Sequence, residues 1–467
     1  MEPKIDQTIE YSQSVKRDSE YKFSKLIQNT GGESISVSSA QQSSTFEIPV
    51  VGMNLAKSFI NFTQRIPQNT TDGRFAQGFR DTPPWSRLEL YTRGGTYLMD
   101  VTNFSHIYQA FGQRTKKIDD FGGSKNGVVI RNYNNFAGTV SCPTIPAGQP
   151  DIVRPVVYSA TPSSFQAIQK VLFGVAAAAN PRAAPTDDKA GDINVQWKIP
   201  GRELYNTVMS LDKTLLLGEV VNLRITWREA AAHGYWTTDA AGVNPVNVGA
   251  PVLISKLALY LAQETNPMVM NELTQVVSTS GMSVIIPYTH AYKTSLSGTS
   301  NAISLRFSRG HGISLERIYT VFGTGLEEKN TRYDAKLLQD GKVPTNADYT
   351  QVDSFYSLLN SKRMQEFDIN VRNVDYDWMN EGEKKDRVVS IDLTNDNTNF
   401  AHTENWCGDD LECAIHQHLG GLSLDVEKKY DLYVTKNSAA TAATINYYSA
   451  AVCQKMLMMG PSGVQVS

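Results

Sequence analysis

Apolar and polar residues alternate along several short stretches of the chain from residue 46 onward. In "VNLRITWR", Val221, Leu223, Ile225 and Trp227 fall on one face and polar residues fall on the other. The same period of two occurs in three further stretches: "DINVQWKIP" at 192–200, "FDINVRN" at 367–373 and "VVSIDL" at 388–393. Strands with one buried face are typical of antiparallel sheets, and loops rich in Asn, Thr, Gly and Pro separate these stretches. We therefore predict an all-β chain of antiparallel sandwiches, with Trp197 and Trp227 in the core.

Two segments carry a helical spacing instead. The stretch "SSFQAIQKVLFGVA" at 163–176 has Ser163 followed three residues later by Gln166, which is a capping-box pattern, and an apolar stripe follows. The stretch "DYTQVDSFYSLLNSKR" at 348–363 has apolar residues at helical spacing between Val352 and Leu359. We predict one short helix in each half of the chain.

A weak internal repeat divides the chain. "STFEIPVVGMNLAKSF" at 44–59 is echoed by "MSVIIPYTHAYKTSL" at 282–296, and each is followed by an arginine-glycine turn, in "RLELYTRGGTYLMDV" and "SLRFSRGHGISLERIYTV". A repeat on this scale indicates two copies of one β module. We place the first module at 45–265 and the second at 266–467.

Residues 1–44 are polar and of mixed charge, so we predict an N-terminal arm that is either a flexible tail or a segment that orders against a partner.

The arginine-glycine turn of the second copy also has the composition of a functional site. "RFSRGHGISLERIYTVF" at 306–322 contains three arginines, His311 and two glycines, which would suit phosphate binding or general base catalysis. However, Ile303, Leu305 and Phe307 alternate with polar residues before the turn, and the glycines supply backbone angles that a turn needs. We therefore interpret the stretch as the first hairpin of the second module, and we expect its arginines to pair with acidic groups on a neighbouring strand or subunit.

Charge and apolar content exclude several classes of protein. The net charge is −3 and 19% of the residues are charged, so the composition gives no basic surface for nucleic acid. No apolar run reaches the length of a membrane span, and the N-terminus lacks the apolar segment of a signal peptide. We therefore expect a protein made in a reducing compartment, where its four cysteines, Cys142, Cys407, Cys413 and Cys453, remain thiols.

Five stretches, taken in their order, resemble the double jelly-roll major capsid proteins of icosahedral double-stranded DNA viruses, most of all those of virophages and polinton-like viruses. They resemble the closing strands of a first roll, the passage between rolls, the two-part start of a second roll, and its helix with the following strand. In that order the stretches are "LDKTLLLGEVVNLRITWR", "LISKLALYLAQETNPMVMNEL", "IIPYTHAYK", "LRFSRGHGISLERIYTVF" and "SFYSLLNSKRMQEFDINV".

The resemblance implies two consecutive eight-stranded jelly-roll sandwiches with short helices in the connecting loops. It implies a structural protein that forms pseudo-hexagonal homotrimers, and these tile an icosahedral shell with penton and minor capsid proteins. It implies no catalysis, no cofactor and no specific binding of nucleic acid. The expected location is the virion, after synthesis and folding in the host cytoplasm.

Cysteine and histidine residues form the best candidate for a metal site. "CGDDLECAIHQH" contains Cys407, Cys413, His416 and His418, and zinc accepts both thiolate and imidazole ligands. The spacing lacks the C-x2-C knuckle of standard zinc sites, so a polar loop with incidental thiols is the favoured interpretation. We name these four residues as weak metal candidates and predict neither a metal nor a cofactor.

A carbohydrate-binding or glycan-hydrolysing β-sandwich is the alternative function. Carboxylates cluster in "NVDYDWMNEGEKKD" and "GDDLE", as a glycosidase would need, and Tyr235 and Trp236 lie in a stretch that we interpret as a loop able to contact a glycan. The strings G-x-S-x-G, H-E-x-x-H and G-x-x-x-x-G-K-[ST] do not occur in the chain. The structural function is therefore favoured, and we predict that the protein is not an enzyme.

Overall fold

The computed structural model describes the following residues: 19–38, 42–66, 72–77, 83–108, 128–131, 156–157, 170–175, 193–237, 245–247, 251–297, 301–324, 352–363, 369–370, 388–392, 422–436, 445–461 and 463–467. A helix of 13 residues, α1 (Pro267–Thr279), separates two groups of strands, and residues 104–108 after β7 are also α-helical. The strands before α1 are β1 (Tyr21–Ile27), β2 (Ile35–Val37), β3 (Ser43–Ile48), β4 (Met53–Ile66), β5 (Asp72–Gln77), β6 (Trp85–Thr92), β7 (Tyr97–Thr102), β8 (Val128–Arg131), β9 (Val156–Val157), β10 (Lys170–Val175), β11 (Ile193–Pro200), β12 (Thr214–Leu215), β13 (Val221–Trp227), β14 (Gly234–Thr237), β15 (Pro245–Asn247) and β16 (Val252–Glu264). The strands after α1 are β17 (Met282–Leu296), β18 (Ala302–Phe307), β19 (Ser314–Thr324), β20 (Val352–Leu359), β21 (Lys362–Arg363), β22 (Ile369–Asn370), β23 (Val388–Asp392), β24 (Leu422–Ser423), β25 (Lys428–Lys436), β26 (Ile445–Gly460) and β27 (Gly463–Val466). Short 3-10 turns occupy Gly201–Glu203, Val208–Ser210, Ala230–His233 and Arg309–His311.

The first module is a sandwich of two antiparallel sheets. The larger sheet has the order β1-β16-β4-β11-β8, with β2 also paired to β16 and β12 to β4, and the smaller sheet has the order β3-β13-β6-β7. If the eight strands β1, β3, β4, β6, β7, β11, β13 and β16 are numbered along the chain, their orders in the two sheets are 1-8-3-6 and 2-7-4-5. Neighbours in each sheet are therefore far apart in the sequence, as in a double Greek key.

The second module repeats this topology. Its sheets have the orders β17-β26-β19-β23 and β18-β25-β20-β21, and β22 also pairs with β20. Strands β21 and β22 together take the fifth position, so the orders are again 1-8-3-6 and 2-7-4-5. The predicted duplication of a β module is thus present in the strand connectivity.

The sequence repeat nevertheless matched strands that are not equivalent. By topology, β1, β3 and β4 correspond to β17, β18 and β19. Residues 44–59 span the second and third strands of their module, whereas 282–296 form the first strand of theirs. An Ile-Pro strand end and a glycine turn are general features of β proteins, so their recurrence did not fix which strands correspond.

The prediction of a separate arm at residues 1–44 is wrong for the part that the structure describes. Strand β1 pairs with β16 over seven residues, from Tyr21 opposite Glu264 to Ile27 opposite Ala258, and it is the first strand of the module. Its polar composition is compatible with this position because an edge strand is held by backbone hydrogen bonds and exposes much of its side-chain surface. The first module therefore begins no later than residue 21, and residues 1–18 lie outside the described residues.

The two predicted helices are strands wherever the structure describes them. Residues 170–175 form β10, and residues 352–359 form β20 between β25 and the β21/β22 position. The apolar spacing of the second segment fits a helix, but pairing on both sides decides in favour of a strand. Helix α1 was missed, although Asn266 caps it by accepting a hydrogen bond from the Met268 amide at 3.0 Å and Pro267 occupies its first turn.

Aromatic side chains fill the core of the first module. Trp197 and Trp227 are buried, as predicted, and lie on either side of Phe62, with ring centroids 5.8 and 5.2 Å from it. The Trp227 indole donates to Ser44 Oγ at 3.0 Å, and the Trp197 indole donates to Gln64 Oε1 at 2.8 Å. The indole N–H groups of Trp197 and Trp227 therefore keep hydrogen-bond partners inside the apolar core.

A further sheet extends the first module beyond the sandwich. It has the order β15-β14-β5-β10-β9, and its strands come from three connections, β4 to β6, β7 to β11 and β13 to β16. These three connections emerge from the same end of the sandwich because their flanking strands run antiparallel. Tyr235 and Trp236, predicted in a loop, lie in β14 of this sheet.

Candidate assembly surfaces

The described residues contain no cluster of three or more His, Cys, Asp or Glu side chains that would hold a metal ion. The weak metal candidates Cys407, Cys413, His416 and His418 lie outside the described residues. Across the described ranges, no helix is both long and apolar enough to cross a membrane. The features that remain are contacts between the modules and exposed surfaces.

The hydrophobic core of the first module extends into the second module, whose own interior forms a separate cluster around Phe307, Leu315 and Leu432. Apolar residues of β17 and β26, among them Ile286 and Val452, belong to the same buried cluster as the tryptophans of the first module. Two polar contacts cross the same boundary: Thr289 Oγ1 donates to the Asn206 carbonyl at 2.8 Å, and Thr96 Oγ1 donates to the Val464 carbonyl at 3.3 Å. The modules are thus packed against each other as one body instead of being joined only through α1.

A buried histidine lies at this boundary. The His106 ring of the first module stacks on Tyr448 of the second, with ring centroids 3.9 Å apart, and Arg228 donates to its Nδ1 at 3.2 Å. Burial lowers the pKa of His106 well below its usual range, and the charges of Arg228 and Lys293 lower it further. His106 is therefore neutral at physiological pH and serves as a packing surface between modules.

The arginine-glycine turn at 309–312 is a crossing between sheets and not a hairpin, so the hairpin prediction is wrong. Strand β18 pairs with β25 in one sheet, while β19 pairs with β26 in the other. Arg306 pairs with Glu427 and Arg309 with Asp425, each at 3.1 Å, which confirms the expected acidic partners for these two arginines. The stretch therefore forms a corner of the sandwich, stabilised by surface ion pairs.

Two histidines hold this corner in place. His290 on β17 donates from Nε2 to the His311 carbonyl at 2.7 Å, and His311 Nδ1 accepts from the Ser308 amide at 3.1 Å. Burial lowers the pKa of His290 to about 4. The imidazoles thus act as hydrogen-bonding groups of the backbone corner, and the general base chemistry that the sequence pattern suggested has no support in this geometry.

An ion-pair network lies on the outer face of the smaller sheet of the first module. Arg224 donates to both carboxylate oxygens of Glu89, at 2.5 and 2.7 Å, and Arg87 makes two hydrogen bonds of 2.7 Å to Asp100. The hydrogen bonds to Asp100 raise the pKa of Arg87, and those to Glu89 raise the pKa of Arg224. The network joins β13, β6 and β7, and the period-two pattern indicated its polar face but not its pairing.

An aromatic face covers part of the outer side of the larger sheet of the first module. It consists of Phe23 on β1, Phe59 on β4 and Tyr260 on β16, with Ile27 beside them. Phe59 and Tyr260 stack with ring centroids 4.7 Å apart, and Phe23 lies 5.7 Å from Phe59. Phe23 and Ile27 are 51% and 50% exposed, so this face is not part of the core.

An acidic turn lies on the second module between β24 and β25. It consists of Asp425, Val426 and Glu427, whose acidic side chains are 73% and 56% exposed. Val426 is 67% exposed, the highest exposure of any large hydrophobic residue in the part of the chain that the structure describes. An apolar tip between two carboxylates therefore faces solvent.

No protein-family model and no curated protein sequence matches the chain. Solved structures do match over nearly its whole length. The PBCV-1 protein VP54, fitted into a reconstruction of the virophage Sputnik, aligns with a TM-score of 0.53 at 10% identity, covering 97% of this chain and 98% of that one. The fold is a double jelly roll.

Two further structures agree with this assignment. The Faustovirus major capsid protein aligns with a TM-score of 0.52 at 10% identity, covering 94% of this chain and 90% of its own. A chain of the Sputnik virophage aligns with a TM-score of 0.52 at 10% identity, covering 96% and 88%. The predicted architecture of two consecutive eight-stranded jelly rolls is thus confirmed.

Proposed function

We propose that the chain is the major capsid subunit of an icosahedral double-stranded DNA virus and that it forms homotrimers which tile the shell. The observation that carries the proposal is the repeated 1-8-3-6 and 2-7-4-5 strand order across both modules, in a chain that aligns over 94–97% of its length with viral capsid proteins. The role is structural, and its functional surfaces are contacts between subunits.

The exposed surface of the described chain supports this proposal. Strand β1 is a sheet edge with two half-exposed apolar side chains, and an open apolar edge is a liability unless another chain covers it. Contacts between stable partners bury more than about 1,200 Å² in total, so several such surfaces take part in a trimer and its lattice.

Other partners follow from the same role. A closed icosahedral shell needs proteins at its fivefold vertices and between capsomers, so penton and minor capsid proteins are the expected partners. The mature location is the virion, and synthesis and folding take place in the host cytoplasm. The apolar contacts between the two modules support a subunit that enters assembly as one block.

Light scattering of the purified chain tests the proposal. We expect a stable particle of three times the 51.6 kDa chain mass, which persists on dilution to nanomolar concentration. A strict monomer that binds or cleaves glycans would overturn the capsid role and favour the carbohydrate-binding alternative. Binding to a glycan array tests this alternative directly, and we expect no bound glycan.

A further inference from the structure

We propose that the aromatic face of the first module binds the acidic turn of the second module of a neighbouring copy. The aromatic face is Phe23, Ile27, Phe59 and Tyr260, and the acidic turn is Asp425, Val426 and Glu427. This inference rests on the proposed function, because it specifies which surfaces join the copies of the trimer.

The aromatic face lies on the solvent side of the sheet, opposite the core. Along β1, Phe23, Lys25 and Ile27 share the outer side of the sheet, and no side chain of β1 is fully buried. Opposite them in register lie Ala262, Tyr260 and Ala258 of β16, and the two small residues leave room for the large ones to spread over the sheet. Large apolar side chains in solvent at a sheet edge mark a contact surface for a partner, while Lys22 and Lys25 on the same strand protect the edge against unspecific pairing.

Three lysines, Lys25, Lys57 and Lys198, lie at this face. The Lys57 ammonium lies 4.5 Å from the centre of the Tyr21 ring, and the Lys198 ammonium lies 4.5 Å from the centre of the Phe59 ring. Lys25 pairs with Glu33, and Lys57 approaches Asp212 at 3.8 Å. Lys198 makes no ion pair with any residue that the structure describes, so its charge is available to a carboxylate of the partner copy.

The acidic turn has the complementary features. Val426 lies at the tip of the turn, and Asp425 and Glu427 flank it. Their present partners, Arg309 and Arg306, are themselves 60% and 70% exposed. Ion pairs exposed on both sides contribute little to stability, so these carboxylates can exchange an arginine for a lysine of a neighbouring copy at little cost.

The two surfaces belong to different modules, which determines the symmetry of the contact. A contact between different surfaces of identical chains is heterologous, and it closes into a ring when the rotation per copy divides a full turn. In a ring of three copies, each first module would then contact the second module of the next copy. Six modules of the same topology would alternate around the ring, which gives a trimer a hexagonal outline.

Cysteine cross-linking in the full-length chain tests the inference. We would co-express Phe23→Cys and Val426→Cys chains that carry different tags, and oxidise the assembled protein mildly. We expect a disulfide between differently tagged chains in the mixture, and none above the wild-type background in either variant alone. Met268→Cys, on α1 and 66% exposed, replaces Phe23→Cys in the control mixture, in which we expect no cross-link.

Charge reversal provides a second measurement that does not depend on thiols. We expect Lys198→Glu and Glu427→Lys each to raise the trimer dissociation constant at least tenfold in sedimentation experiments, and the double variant to recover most of this loss. A trimeric wild type without the mixed disulfide, or with cross-links within the Phe23→Cys variant alone, would overturn the inference and leave the proposed function standing. A monomeric wild type would overturn the proposed function itself and the inference with it.

Discussion

Arg224 holds the buried carboxylate of Glu89 through two parallel hydrogen bonds of 2.5 and 2.7 Å across the β6–β13 pair. Glu89 has no exposed surface, and Arg87 approaches it at 3.2 Å on the other side. A bidentate pair of this kind fixes the register of two strands as well as their charge balance. The pair is part of the ion-pair network that joins β13, β6 and β7, so its removal should destabilise the pairing of these strands.

We expect Arg224→Met to lower the free energy of unfolding by about 3 kcal/mol, because it leaves a buried carboxylate with one of its two arginines. The double variant Arg224→Met with Glu89→Met should recover most of this loss, since no charge is then buried without a partner. Urea unfolding followed by tryptophan fluorescence measures both. Arg306→Met removes an exposed pair and is the matched control, with an expected change of less than about 1 kcal/mol. An equal loss in Arg224→Met and its control would contradict the prediction.

The two glycines of the arginine-glycine turn should respond differently to alanine. A Cβ on Gly312 would lie 2.4 Å from the Gln454 carbonyl oxygen, and the φ angle of +151° also disfavours alanine. A Cβ on Gly310 would meet nothing closer than Ser308 Oγ at 3.9 Å. We expect Gly312→Ala to lower the free energy of unfolding by about 1–3 kcal/mol and Gly310→Ala to leave it almost unchanged. Thermal unfolding of the two variants measures the difference. Similar melting temperatures would contradict the prediction and show that the backbone at residue 312 can shift to accommodate a Cβ atom.

Acidification should destabilise the protein through its buried histidines. Burial lowers the pKa of His233 and of His290 to about 4, compared with about 6.5 in an unfolded chain. Below pH 6.5 the unfolded state therefore binds more protons than the folded state. The free energy of unfolding is not reduced by these histidines above that pH, and it decreases as the pH falls toward 4. Each histidine should lower the free energy of unfolding by about 2 kcal/mol between pH 7 and pH 5.

Substitution of one histidine should reduce this pH dependence. His290 faces Tyr288, His311, Lys455 and Asp100, and His290→Gln keeps a donor for the His311 carbonyl while it removes the titrating group. We expect the variant to lose less stability than the wild type between pH 7 and pH 5, as measured by urea unfolding at each pH. Identical slopes for variant and wild type would show that His290 does not contribute.

Truncations of the N-terminus should separate two segments. Removal of residues 1–18 leaves β1 in place, so we expect an unchanged melting temperature. Removal of residues 1–44 deletes β1 and β2 and exposes the edge of β16 over the seven residues that pair with β1, so we expect misfolding or aggregation. Expression in soluble form and far-UV circular dichroism measure both outcomes. A soluble, native 1–44 deletion would show that β1 is dispensable.

The sequence was informative where one face of a strand was uniformly apolar. Val221, Leu223, Ile225 and Trp227 are all fully buried in β13, and this strand follows directly from the alternation of its residues. Strand β20 did not follow, because apolar residues at Val352, Phe355 and Leu359 satisfy a helical period while pairing with β25 imposes a strand. Local spacing leaves such segments undetermined, and tertiary pairing decides them.

The surfaces were harder to predict than the fold. Phe59 and Tyr260 stack because Phe59 of β4 lies opposite Tyr260 of β16, 201 positions apart along the chain. Phe23 joins them only because β1 occupies the other side of β16, and a polar N-terminal segment gave no sign of this pairing. A cross-strand register between distant segments is a property of the fold, so no local pattern contains it. By contrast, the Asn266 cap and Pro267 were readable as the start of α1.

The strand order of the first module delays the completion of one of its sheets during synthesis. Its first and last strands are neighbours, and the contact between Glu20 and Glu264 closes a loop of 244 residues. At a translation rate of 5–20 residues per second, β1 leaves the ribosome roughly 10–50 s before the partner that completes its sheet. Throughout that interval the edge bearing Phe23 has no β16 to pair with, and such non-local pairing is intrinsically slow. The yield of folded protein should therefore depend on chaperones that bind the nascent chain before β16 emerges.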